Sequence, residues 1–310
     1  MQAYNILITA RTFGTTNKAA LAMLESAGFK CTRVDAQSSP EAFLDEAKKS
    51  DALILGTNPL DCDLLQKCPR LKIIAKHGSG VNNIDLDAAR QLGITVTNVP
   101  AVNANTIADL TFAHIMATSG GIVLANLRAR QGRHFAGKEV YGKTLGLVGF
   151  GAVAQAVAMR SSGFAMNVLA HDPFGETIPE KFSFVAETTL DNLLENSDII
   201  SVHAPLTPLT EDLLDAQAFS KMKKDAVLVN LGRSGVINES ALYAHMKGGN
   251  LFGASLEAAE EASPLAELEN ITLSPPLGGF ATETISAVSQ ACALNVLRKL
   301  QGHEPDFVVV

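Results

Sequence analysis

Thr144-Leu145-Gly146-Leu147-Val148-Gly149-Phe150-Gly151-Ala152-Val153-Ala154 is the stretch that decides the fold. A run suited to a buried strand, Thr144–Val148, leads into Gly-x-Gly-x-x-Ala. The first glycine permits a tight turn, the second lets backbone approach a diphosphate, and the last position needs only a small residue for helix–strand packing, which Ala154 supplies. The helix expected over Val153–Ser162 would offer its N-terminal N–H groups and positive dipole end to the phosphates. The next strand ends in Val168-Leu169-Ala170-His171-Asp172, about twenty residues past the motif, where an acid binds the ribose hydroxyls and repels a 2′-phosphate. The spacing predicts an NAD site using Gly149, Gly151, Ala152, Val153 and Asp172.

Working outward, short apolar runs alternate with helical segments. Asn5–Thr9, Cys31–Asp35, Ala52–Gly56, Leu71–Ala75 and Ile94–Val99 read as strands. Asn17–Ala27, Pro40–Lys49, Asp61–Lys67 and Asp85–Leu92 read as the helices between them. A second series of strands follows at Thr144–Val148, Asn167–Ala170, Ile199–His203, Ala226–Leu231, Leu251–Leu256 and Ile271–Leu273. Helices fit Val153–Ser162, Leu190–Asn196, Ala216–Lys221 and Glu239–Lys247. Continuous apolar strands separated by helices imply parallel sheets covered on both faces, wound right-handedly. The fold class is therefore α/β, with two doubly wound parallel-sheet domains and six strands expected in the second. Ile107–Thr118 is apolar nearly all round and reads as a buried linking helix. Thr282–Leu300 reads as a last helix, and Phe307–Val310 as an apolar end that packs back on the first domain.

The 310 residues suffice for two cores, and a net charge of −7 argues against non-specific nucleic-acid binding, which needs a basic stripe. Cys31, Cys62, Cys68 and Cys292 lack CxxC spacing and read as free thiols of a reducing compartment. The N-terminus lacks signal-peptide features, and no apolar run is long enough to span a bilayer, so the expected location is the cytoplasm, without membrane partners. The histidines are dispersed and show no metal-ligand spacing, so no metal is expected. P-loop and nucleophile-elbow motifs are absent.

Several segments in order resemble the D-2-hydroxyacid dehydrogenase family, which includes phosphoglycerate dehydrogenases and glyoxylate/hydroxypyruvate reductases. They run from residues 78 to 100 (GSGVNNIDLDAARQLGITVTNVP), 142 to 154 (GKTLGLVGFGAVA) and 171 to 174 (HDPF). Further along they cover 203 to 210 (HAPLTPLT), 229 to 242 (VNLGRSGVINESAL) and 253 to 258 (GASLEA). The resemblance implies a discontinuous, flavodoxin-like substrate domain, 1–99 plus 282–310, with a Rossmann domain at 100–281 inserted into it. It also implies a homodimer acting on a small 2-keto or 2-hydroxy acid bound between the domains. Arg233 matches the substrate-binding arginine, whose planar fork suits a carboxylate and the adjacent keto oxygen; read alone, it is an ordinary loop residue. Gly78, Ser79 and Gly80 match the loop whose amides hold the substrate carboxylate, with His77 beside it as a further candidate. Thr106, His203, Pro205, Thr210, Leu231, Gly232, Arg233 and Glu257 fall where the family contacts the cofactor, Glu257 replacing an aspartate.

The pattern breaks at the acid/base pair. The family's histidine sits in a Thr-Pro-His-Ile-Gly-Gly segment; here the segment is Ser274-Pro275-Pro276-Leu277-Gly278-Gly279, and Pro276, which can neither give nor take a proton, holds its place. The position expected for the partner glutamate holds Ala262, with Glu260 or Glu261 able to take the role if the register slips, and Glu261 kept as the candidate. Three readings stay open: a dehydrogenase with another proton donor, such as His77 or a water; an altered substrate or reaction that needs no histidine; or a non-catalytic, NAD-binding sensor or regulator.

Overall fold

In the computed structural model, which describes residues 4–35, 37, 39–175, 177–257, 263–278 and 280–310, the chain forms two compact units. One is Met1–Val102 with Gly279–Val310, the other Asn103–Gly278.

The first unit contains β1 (Asn5–Ile8), α1 (Ala19–Ser26), β2 (Lys30–Arg33), α2 (Pro40–Ala47), β3 (Ala52–Leu55), α3 (Cys62–Gln66), β4 (Ile73–Lys76), α4 (Leu86–Gln91) and β5 (Thr95–Thr97). The last helix, α11 (Thr282–Leu300), returns to it. Its five strands are all parallel, in the order β2-β1-β3-β4-β5. Alternation along each strand feeds two cores. Ile6, Ile8, Ala52, Ile54, Ile73 and Ala75 pack with Leu24 of α1 and Val288, Cys292 and Val296 of α11. Leu7, Leu53, Leu55 and Ile74 pack on the other side with Phe43, Leu65 and Ala88. Burial on both faces is why these strands read as unbroken apolar runs. Beyond α11 the chain lies against β5, where Val308 bridges Thr97 in antiparallel fashion and Val309 N–H donates to Val96 O at 2.8 Å.

The second unit contains α5 (Ala104–Ser119), α6 (Ile122–Ala129), β6 (Thr144–Val148), α7 (Ala152–Ser161), β7 (Asn167–His171), β8 (Val185–Glu187), α8 (Leu190–Asn196) and β9 (Ile199–Val202). It continues through α9 (Ala216–Lys221), β10 (Val227–Asn230), α10 (Glu239–Lys247), β11 (Gly253–Glu257) and β12 (Ile271–Ser274). The sheet is parallel throughout, in the order β12-β11-β10-β9-β6-β7-β8. It has seven strands, not the six read from the sequence. The extra strand, β8, lies at the sheet edge and buries only Val185, so it carries no apolar run to betray it. Helix α6 was also not read. Helix α5 is less fully buried than its composition implied: Ala108, Phe112 and Ile115 join the core that α7 shares, while Met116 is exposed. The opposite face of the sheet is covered by Leu193, Phe219 and Leu242 of α8, α9 and α10. Strand order reverses at β6, and in open sheets of this kind ligands bind beyond the carboxyl ends of the strands at that switch point.

Among the described residues no single helix is long and apolar enough to cross a membrane.

Candidate functional site

The carboxyl ends of β6, β7, β9, β10, β11 and β12 carry most of the residues singled out in the second unit. Gly149 follows β6 with φ +90, a conformation that L side chains avoid. A Cβ there would come within 2.7 Å of Ala204 N, where the chain leaves β9. Both backbone shape and space demand glycine. Gly151 caps α7, is exposed, and a Cβ there would meet nothing within 4 Å. The first intrahelical bond runs from Gln155 N–H to Gly151 O, leaving the N–H groups of Ala152 and Val153 at the open first turn. Ala154 is fully buried against the sheet.

Asp172, half-buried after β7, ties the loop together. Phe150 N–H donates to its Oδ2 at 2.8 Å and Phe174 N–H to its Oδ1 at 2.9 Å. A carboxylate has acceptor capacity beyond these two bonds. His203, after β9, is hydrogen-bonded to Ser201 Oγ at 2.9 Å, and burial lowers its pKa to about 4, so the ring is neutral at pH 7. Thr210 is buried, and its hydroxyl is engaged with Pro205 O and Thr207 N–H, so it shapes the Pro205–Thr210 loop. Thr106 lies in the first turn of α5.

After β10 the buried Asn230 organises the turn that holds Arg233. Its Oδ1 accepts from Gly232 N–H at 2.9 Å, and its Nδ2 donates to Arg233 O at 3.1 Å. Leu231 is buried and Arg233 is exposed. Among the described residues the Arg233 guanidinium has no hydrogen-bond or ion-pair partner. Sequence reasoning missed Asn230; its signal was a polar residue closing an otherwise apolar strand before Gly232.

Glu257, at the end of β11, is buried and accepts from Leu277 N–H at 2.5 Å. It therefore holds the turn after β12 that contains Pro275, Pro276 and Leu277, all exposed. Glu261 and Ala262 lie outside the described residues.

In the first unit, β4 ends on Lys76, whose ammonium is buried and donates to Gly56 O and to Asn83 Oδ1 at 2.8 Å. Its charge is spent inside the unit. His77 Nε2 is 3.0 Å from Ser289 Oγ and the ring stands edge-on to Phe13; burial takes its pKa down to about 4. Gly78 has φ +144, and the loop is fixed by Val99 N–H to Gly78 O at 2.9 Å and Asn98 Nδ2 to Ser79 O at 2.7 Å. Ser79 and Gly80 are exposed, and among the described residues their N–H groups have no partner.

A glycine turn at the switch point, an open helix start and an acid closing β7 fit a dinucleotide. The diphosphate would meet the N–H groups of Gly151, Ala152 and Val153, and a ribose the carboxylate of Asp172. This arrangement defines a dinucleotide-binding protein of the doubly wound α/β class. Residues 112–278 match the family model described as D-isomer specific 2-hydroxyacid dehydrogenase, NAD binding domain. A glyoxylate reductase of Korarchaeum cryptofilum is 36% identical over 289 residues, covering 89% of this chain and 87% of that protein. A D-3-phosphoglycerate dehydrogenase of Methanocaldococcus jannaschii is 33% identical over 280 residues, covering 87% of this chain and 53% of that protein. The crystal structure of the TT0316 protein from Thermus thermophilus superposes with a TM-score of 0.87 at 31% identity, covering 99% of this chain and 100% of that one. The chain belongs to the D-isomer-specific 2-hydroxyacid dehydrogenase family, whose cofactor is NAD.

Proposed function

We propose that the enzyme interconverts a small 2-keto acid and its D-2-hydroxy acid, with Arg233 holding the substrate carboxylate. The observation that carries this reading is the unpartnered Arg233 guanidinium, presented by a turn that a buried Asn230 holds in place. A guanidinium fork matches a carboxylate in two parallel bonds. Bound NAD supplies hydride chemistry at the nicotinamide C4. The chain's own residues bind and orient: Gly151, Ala152 and Val153 take the diphosphate, Asp172 the ribose, and Glu257 fixes the turn at Leu277.

Pro276 gives this site no proton donor where the family's histidine stands. Burial holds the His77 imidazole neutral at pH 7, hydrogen-bonded to Ser289, so it lacks the extra proton of an imidazolium. A water remains as donor for keto acids. General acid–base help contributes about 10²–10⁴-fold, so a slower keto-acid reaction is expected rather than none. We further propose a homodimer formed through the second unit, supported by exposed Ile122, Val123, Leu127 and Tyr141. A cytoplasmic location is supported by four free thiols.

The test is NADH binding by fluorescence together with NADH oxidation over a panel of 2-keto acids. Wild-type protein should bind NADH and turn over at least one acid, and Arg233→Ala should lower kcat/KM about tenfold to a hundredfold, with NADH binding followed separately by fluorescence. Turnover unchanged in Arg233→Ala would rule out this substrate site. NADH binding without turnover of any acid would favour a sensor.

A further inference from the structure

The position that the family resemblance ties to the proton-donating histidine is Pro276, which carries no proton to give. The nucleotide turn and Arg233 are kept. A ketone that receives a hydride becomes an alkoxide and needs a proton as it forms. An iminium carbon does not, because C=N–H⁺ brings its proton with it.

The groups around the Pro276 turn suit such a substrate. Pro275 and Pro276 have no N–H to donate. Glu257, buried at the end of β11, is a carboxylate, and among the described residues only Leu277 N–H bonds to it. Strand β10 runs beside β11 with Asn230 opposite Leu256, so the chain leaves β10 next to Glu257 and carries Arg233 into the following turn. That edge offers donors and positive charge on one strand and an acceptor with negative charge on the next. A 2-iminium acid carries the complementary pair, a carboxylate beside an N–H⁺.

Resting on the reading above for its site, we infer that the preferred substrate is a 2-iminium acid, formed from a 2-keto acid and an amine and reduced to a 2-amino acid. A C–H bond forms at the α-carbon with the hydride of NADH, which is oxidised to NAD⁺. The C=N π bond breaks and its electron pair becomes the nitrogen lone pair. The N–H proton stays where it was, and the amine product later takes a proton from water. No protein group has to give one.

Binding and turnover test this separately. With NADH present, pyrrole-2-carboxylate, which has a ring N–H, should bind at least tenfold tighter by calorimetry than furan-2-carboxylate, which has an oxygen there. Glu257→Gln should narrow that gap to about threefold or less, with NADH binding followed by fluorescence as a control. The preformed cyclic imine Δ1-pyrroline-2-carboxylate should show a kcat/KM at least a hundredfold above pyruvate or glyoxylate without amine. Pro276→His should raise the keto-acid value and narrow the ratio. Equal binding of the two ring acids, or keto acids consumed faster than the imine, overturns the inference and leaves the Arg233 site standing. Neither class consumed by protein that binds NADH overturns both.

Discussion

Gly149 is the residue on which the nucleotide site most depends. Its φ of +90 and the 2.7 Å approach of Ala204 N leave no room for a methyl group. Gly149→Ala should cost about 1–3 kcal/mol in stability by denaturant unfolding and weaken NADH binding at least tenfold by fluorescence. Asp172 is a subtler case, because its carboxylate also accepts two backbone N–H groups. Asp172→Asn removes the charge while keeping an acceptor, so the NADPH-to-NADH affinity ratio should rise about tenfold. His77 and His203 make a pH signature. Each has a pKa of about 4 in the folded chain against 6.5 for the free imidazole, so between those values the unfolded chain binds protons that the folded chain refuses. Stability should be full above about pH 6.5 and fall towards pH 4, by up to about 1.4 kcal/mol per pH unit for each histidine. Urea midpoints across that range check it, and His77→Asn should flatten the slope by one proton.

At the scale of elements, the turns that present function matter more than the strands that end in them. Asn230 closes β10 and carries both bonds that shape the Leu231-Gly232-Arg233 turn. Asn230→Ala should raise the substrate KM about tenfold by loosening Arg233, while changing NADH affinity much less; steady-state kinetics beside fluorescence titration separate the two. This turn also shows what the sequence made legible. Strands β1, β3, β6, β9 and β10 were readable because burial on both faces writes a continuous apolar run, and the Gly149 turn was readable because it needs glycines at fixed spacing. Strand β8 was not, since an edge strand with one buried residue leaves no period. The site was legible in its residue types but not its bonds. That Lys76 is spent on Gly56 and Asn83, or that Glu257 holds Leu277 N–H, depends on chain segments brought together only by the fold.

At the scale of the whole molecule, the remaining question is what covers the apolar side chains of the second unit. Ile122 and Leu127 on α6 are 63% and 52% exposed, and Tyr141, in the segment leading to β6, is 69% exposed, more than a helix packed only on its own sheet would leave in water. Helix α6 follows α5 through Gly121, which has φ +64, and a Cβ there would strike the Phe135 ring. The segment from α6 to β6 is thus held in a defined shape by Phe135 and by Lys138, which pairs with Asp225, rather than left to wander. A fixed segment that exposes leucine, isoleucine and tyrosine has the character of an interface, where such groups gain about 25 cal/mol for each Å² they bury. On the homodimer proposal, Ile122→Asp with Leu127→Asp should shift the protein from dimer to monomer in size-exclusion chromatography with light scattering. Both substitutions lie on exposed positions, so the far-ultraviolet circular dichroism should be preserved. A wild-type protein that is monomeric at micromolar concentration, with the double variant indistinguishable from it, would end the homodimer proposal.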